Sequence, residues 1–196
     1  MRPRLVIMLK EPVAGRVKTR LGREIGMTSS AWWFRHQSAD TIRRLQSRRW
    51  ETWLAVAPDT ALHSRSWPAH LPRMAQGLGD LGARMARILR SSKGPVALIG
   101  GDIPGVQQEH IADAFEQLGR HELVFGPATD GGFWLVGKRG RVPRGLFQNV
   151  RWSCPSTLEE TTATAGTARM GKVATLSDVD RLSDLQAPVF RPKRGA

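Results

Sequence analysis

The sequence predicts an α/β fold in which a mostly parallel sheet lies between two layers of helices. Three observations predict it. Short apolar runs alternate along the chain with segments of helical periodicity, the pattern of βαβ units. Several of the runs are continuous rather than alternating, as in strands covered on both faces. The glycine- and charge-rich stretches fall directly after strands, where open α/β sheets bind ligands.

Each element has its own justification. Leu5 to Leu9 is an apolar run bounded by charge and by Pro12, a buried first strand. Thr28 and Ser29 can cap a helix to about Arg48, with Phe34, Ser38, Ile42 and Leu45 on one face. "ETWLAVA" (51–57) is a second strand, ended by Pro58-Asp59. Positions 58–77 read as irregular around Pro68 and Pro72, with a short strand near Arg73 to Ala75. Leu78, Leu81, Met85, Ile88 and Leu89 form a helical stripe, and "PVALIG" (95–100) a strand. Ile111, Ala114, Phe115 and Leu118 mark another helix, followed by strands at "ELVFGP" (122–127) and "FWLVG" (133–137). Ser156-x-x-Glu159 has the capping-box spacing for a helix to about Ala165. "KVATL" (172–176) is a last strand, and a short helix is expected near Ser183. One domain over 1–190 with a basic tail at 191–196 is the simplest organisation.

Composition narrows the function. The chain has 196 residues, 40% of them hydrophobic and 24% charged, enough for a folded core. A net charge of +13 favours anionic partners: nucleotides, phosphorylated metabolites, nucleic acid or an anionic membrane surface. A single cysteine, Cys154, excludes an intramolecular disulfide, and a cytoplasmic protein is expected. Followed by Pro155, it reads as a small packed residue. The five scattered His and the lack of CxxC or HExxH argue against structural zinc. No apolar run approaches the roughly 20 residues of a membrane span, and "LVIML" followed by Lys10-Glu11-Pro12 does not suit a signal peptide.

Five stretches can carry chemistry. "KEPVAGRVKTRL" (10–21) follows the first strand with four cations, Lys10, Arg16, Lys18 and Arg20, but Val17 before Lys18 breaks the P-loop spacing. It is either a diphosphate-holding loop or a basic surface turn. "IGGDIPG" (99–105) sets Asp102 at a strand end, suited to Mg²⁺ or to capping the helix near Gln107. "GPATDGGFWLVG" (126–137) joins two strands through Asp130-Gly131-Gly132, a hairpin turn that can also present a carboxylate to substrate. In "SDVDRLSDL" (177–185), Asp178 and Asp180 share a face if extended; they complete a metal site with Asp102 or cap a helix. "QGLGDLGARM" (76–85) carries Gly79 and Asp80 in a glycine-rich helix start, open to a ligand or simply a surface turn.

Taken together, "KEPVAGRVKTRL", "GDLGARM", "IGGDIPG", "GPATDGGFWLVG", "RWS" (151–153) and "DVDRLSDL" resemble, in order, the blocks of the bacterial DUF2064 family. That family is described as glycosyltransferase-like, within the GT-A nucleotide-diphospho-sugar transferase superfamily. The superfamily is similar to the guanylyltransferases of molybdenum-cofactor and coenzyme F420 synthesis. The resemblance implies a three-layer α/β/α, Rossmann-like GT-A fold with a mostly parallel mixed sheet. It implies a nucleotide side formed by Lys10, Gly15, Lys18, Arg20, Gly79, Asp80 and Gly101, and a Mg²⁺ (or Mn²⁺) held by Asp102, Asp178 and Asp180. The sequence departs from the pattern at Gly101, where a small hydroxyl residue is common, and at Phe133-Trp134, where a tyrosine-containing pair is usual.

The expected function is a Mg²⁺-dependent transfer from a nucleotide-activated donor, foremost glycosyl transfer from an NDP-sugar to a small-molecule acceptor. Lys18 and Arg20 would stabilise the leaving group, and Asp130 would orient the acceptor or act as base. The second expectation is nucleotidyl transfer from an NTP, releasing pyrophosphate. A third, a non-catalytic nucleic-acid-binding module, is disfavoured by the absence of a recognisable binding signature. Arg16 and Arg23 are expected to be surface charge.

Overall fold

The computed structural model describes residues 2–186; the expected tail at 191–196 lies outside them. Seven strands form one sheet in the order β3-β2-β1-β4-β6-β5-β7. They are β1 (Arg4–Lys10), β2 (Glu51–Ala57), β3 (Arg73–Ala75), β4 (Val96–Gly100), β5 (Leu123–Pro127), β6 (Phe133–Lys138) and β7 (Met170–Lys172). Four of the strand pairs run parallel, and β6 runs antiparallel to both its neighbours, β4 and β5. The sheet is therefore mixed and mostly parallel, as expected. The helices are α1 (Thr19–Ile25), α2 (Met27–Leu45), α3 (Leu81–Arg90), α4 (Gln108–Gln117), α5 (Thr157–Ala163) and α6 (Leu182–Gln186).

The three layers follow from strand alternation. Leu5, Ile7 and Leu9 of β1 face a core completed by Phe34, Ile42 and Leu45 of α2 and Ile111 and Ala114 of α4. Val6 faces the opposite core with Met85, Ile88 and Leu89 of α3 and Phe147. Both faces of the strand are covered, which is why the sequence reads as a continuous apolar run. No helix among the described residues is long and apolar enough to cross a membrane.

The structure corrects four element boundaries. The helix expected from Thr28 starts earlier, as α1 and α2 meeting at Gly26, where φ is +92°. Residue 22 permits this junction: a Cβ there would stand 2.6 Å from Met27 Sδ. The helix also stops at Leu45, where the chain turns extended at Gln46 and the Trp50 indole donates to the Leu45 carbonyl (2.9 Å). The last strand is Met170–Lys172 rather than 172–176, because that triplet pairs with β5. Beyond it the chain keeps only an isolated bridge from Leu176 to Ala128, next to the bulge at Gly126/Pro127. Finally, Ser156 makes no capping hydrogen bond to α5; its hydroxyl donates instead to Glu160 Oε1 (2.7 Å), and the helix ends at Ala163.

Candidate functional site

The carboxyl ends of β1 and β4 open into a cavity of about 560 Å³. The loop after β1 builds one wall. Gly15 turns the chain at φ +76°, and Lys18, immediately before α1, adopts the left-handed conformation (φ 45°, ψ 46°). A non-glycine residue is rarely held there outside functional or turn sites. The Lys18 ammonium lies 2.6 Å from Asp102 Oδ2 and 2.9 Å from Asp180 Oδ1, with its side chain only 8% exposed. Arg20 Nη1 reaches the other oxygen of Asp180 at 3.0 Å. Residues more than 150 positions apart thus meet at one cation.

Asp102 follows β4 directly, as the sequence suggested, and it pairs with Lys18 rather than capping α4. There the Gln107 backbone N–H donates to His110 Nδ1 (3.0 Å). Val179, only 4% exposed, packs inward between Asp178 and Asp180, both of which line the cavity. Asp184 holds this segment, accepting from the backbone N–H groups of Asp180 (2.9 Å) and Arg181 (2.7 Å). Asp130 sits at the turn between β5 and β6 and lines the same cavity. One of its carboxylate oxygens accepts from the Gly132 N–H (2.9 Å).

The charges are unevenly balanced. Burial pulls Lys18 down, but the neighbouring Asp102 and Asp180 outweigh it and raise its pKa. Burial pushes Asp180 up, but Lys18 and Arg20 bring it below the usual carboxylate range. Asp178 lacks a comparable partner: burial first, then repulsion from Asp180, Asp102 and Asp130, raises it to about 6 despite Lys18. Around Lys18, three carboxylates, Asp102, Asp178 and Asp180, stand against two paired cations, Lys18 and Arg20, although the whole lining carries four side chains of each sign. Oxygen donors in this excess suit a hard divalent cation, and the Lys18 ammonium already stands as a cation between two of them. Among the described residues no three acidic, His or Cys side chains are spaced as the ligands of one metal ion; the spacing is that of carboxylates closed on an ammonium.

Of the residues singled out by sequence, Lys10, Lys18, Arg20, Gly101, Asp102, Asp130, Asp178 and Asp180 line the cavity. Gly15, Gly79 and Asp80 are not among the lining residues. The Asp80 carboxylate caps α3 through the Ala83 N–H (2.8 Å), and the Gly79 carbonyl accepts from Arg84 Nε (2.9 Å). Gly101 has a packing reason for its departure from the family pattern: a Cβ there would run into Leu9 Cδ2. Trp134, the second residue of the other departure, is buried and donates its indole N–H to the Ala174 carbonyl (2.9 Å). Arg16, expected as surface charge, lines the cavity.

Sequence reasoning missed six lining residues of three kinds. Gln76 is 3% exposed and donates to the carbonyls of Leu9 (2.9 Å) and Ala55 (2.8 Å), tying β3 across to β1. Leu81, Met85 and Phe133 form apolar lining, joined by Trp152 and Ser153 from the segment before α5. Only the "RWS" block signalled that segment, and its left-handed residues Phe147, Asn149 and Ser153 have no simple sequence signature.

Comparison with known proteins supports the family and the fold. A provisionally named nucleotide-diphospho-sugar transferase from Desulfovibrio desulfuricans G20 matches with 27% identity and a TM-score of 0.80, over 94% of this chain and 84% of its own. Rv0371c of Mycobacterium tuberculosis H37Rv, solved in complex with manganese, matches with 14% identity and a TM-score of 0.55, over 96% and 98%. CMP:2-keto-3-deoxy-manno-octonic acid synthetase, solved with CTP, matches with 12% identity and a TM-score of 0.57, over 95% and 96%. A search of curated proteins found no match. The α/β fold is thus the one expected of nucleotide-diphospho-sugar transferases. The family described as "Uncharacterized protein conserved in bacteria (DUF2064)" matches residues 41–154, more than half of the sequence, and the chain belongs to it.

Proposed function

We propose that this protein is a nucleotide-dependent transferase that moves a glycosyl group from an NDP-sugar to a small-molecule hydroxyl acceptor. One observation carries the reading. The cationic loop after β1 and the carboxylates after β4 and at 178–180 meet in a single cavity at the strand ends. The likeness to the Desulfovibrio protein supports the sugar-nucleotide donor. The neighbour solved with manganese supports a divalent cation, and Mg²⁺ or Mn²⁺ would be held by Asp102 with Asp178 or Asp180. Bound there, the cation would neutralise charge developing on the diphosphate.

The chain's own residues supply the rest. Lys18, Arg20 and Arg16 offer fixed positive charge to the departing diphosphate. The acceptor oxygen attacks the anomeric carbon and the bond from that carbon to the diphosphate oxygen breaks. The nucleoside diphosphate leaves with the electron pair, and Asp130 takes the acceptor proton.

The excess of acidic residues around Lys18 favours a second reading. In it a phosphorylated acceptor attacks the α-phosphorus of an NTP and pyrophosphate leaves; the likeness to a synthetase solved with CTP supports this chemistry. One experiment separates the two. The protein is incubated with Mg²⁺ and either NDP-sugars or NTPs, together with an acceptor library, and the released products are resolved by ion-exchange chromatography. Free NDP dependent on acceptor supports glycosyl transfer; acceptor-dependent pyrophosphate refutes it in favour of nucleotidyl transfer.

A further inference from the structure

The cavity has two chemically different walls. The charged wall holds Lys18, Arg20, Asp102, Asp178 and Asp180. The other is built from Leu81, Met85, Phe133 and Trp152. A diphosphate gains nothing from that second wall, because apolar side chains cannot replace its hydration. The second wall is also closely packed. Trp152 stands at 6.2 Å from Phe147 and 6.4 Å from Phe133, ring centre to ring centre, and Phe133 packs edge-on to Phe125 at 5.6 Å. Helix α3 presses against it so closely that a Cβ at Gly82 would stand 2.8 Å from Trp152 Cζ2. The segment carrying Phe147 and Trp152 is held in left-handed conformations at Phe147, Asn149 and Ser153. Strain of this kind persists only where the surroundings over-determine it.

Two features show that this wall is not merely core. Leu81 is 45% exposed and Leu78, just before it, is 84% exposed, so the apolar surface continues to an open lip. The Trp152 indole N–H is buried without a hydrogen-bond partner among the described residues, and Trp152 is the one cavity-lining residue with such an atom. Buried indole N–H groups ordinarily find an acceptor.

We propose that this wall is an acceptor subsite for a flat, largely apolar ring bearing an oxygen substituent. The ring packs on Trp152, Phe133 and Met85, Leu81 closes over its edge, and Trp152 Nε1, closed to solvent beside the cavity, reaches the substituent oxygen once the indole tilts toward the ring. The assignment rests on the transferase reading above and names its acceptor class: a phenol-like or similarly flat ring alcohol rather than an open-chain polyol.

The test uses the full chain and saturation-transfer NMR with p-cresol, toluene and glycerol as probes, alongside calorimetric titration with UDP and GDP. Wild type should give strong transfer to p-cresol, weaker transfer to toluene and none to glycerol. Leu81→Asp, at a half-exposed position that tolerates charge, should cut p-cresol transfer at least fivefold and change nucleotide affinity less than twofold. Trp152→Phe should abolish the preference for p-cresol over toluene while both still bind. Glycerol binding as well as p-cresol, or p-cresol transfer unchanged in Leu81→Asp, overturns the proposal. So does a tenfold loss of nucleotide affinity in Leu81→Asp, which would assign the wall to the base. p-Cresol binding in a protein that takes no nucleotide would refute the transferase reading and leave the ring site standing.

Discussion

Asp178→Asn should stabilise the metal-free protein at neutral pH, and the size of the effect follows from the site. The Asp178 carboxyl is raised from 3.8 to about 6 by burial and by the neighbouring carboxylates of Asp180, Asp102 and Asp130. A carboxyl whose folded value is raised contributes stability that is fully present below the unfolded value. That contribution is lost as pH rises through the folded value. Wild type is therefore penalised above about pH 6 and carries no penalty below pH 4. The rise is equivalent to about 3 kcal/mol for a fully desolvated group. Asp178 is only partly buried, so solvent screening reduces this to about 1–2 kcal/mol. Asparagine keeps the shape of the neutral acid without its charge. Urea denaturation in EDTA should then show Asp178→Asn more stable than wild type by about 1–2 kcal/mol at pH 7.5, with the difference vanishing at pH 4. In a chain of this size that corresponds to a Tm increase of about 2–8 °C. An equal gain at both pH values, or a loss at pH 7.5, would refute the claim that crowded carboxylates set the charge balance of the cavity.

Three further outcomes are expected. Lys18→Met should weaken nucleotide binding by about tenfold or more, since it removes a buried charge, whereas Arg23→Ala, at an exposed position, should leave calorimetric affinity unchanged; Arg20→Ala should lie between them because Arg20 is 57% exposed. Asp102→Ala should reduce turnover by about a hundredfold or more while circular dichroism stays native, and full activity in that variant would exclude Asp102 from the chemistry. Gly82→Ala should lower stability by about 1–3 kcal/mol in thermal unfolding despite the better helix propensity of alanine, because its Cβ would stand 2.7 Å from Phe147 Cβ and 3.0 Å from the Phe147 carbonyl oxygen.

The sequence by itself determined the layers. Leu5 to Leu9, "VALIG" and "LVF" are apolar on both faces, and only a sheet covered on both sides can bury such runs. It also pointed to the strand ends where the cavity opens, since the glycine- and charge-bearing loops follow the strands of such a sheet. Element limits were less legible where no breaker marks them. Gln46 ends α2 with neither Gly nor Pro beside it, and β7 is set by its pairing with β5 rather than by its own residues. Only the tertiary structure decided how the charges are shared. Lys18 reaches Asp102 and Asp180 because of a left-handed turn at residue 18 and a crossover that brings residues 178–180 back beside α1. Local sequence carries no record of such distant partners, nor of the strained segment that sets Trp152 against α3. Apolar pattern is a local property and can be read along the chain; electrostatic partnership and close packing are properties of space.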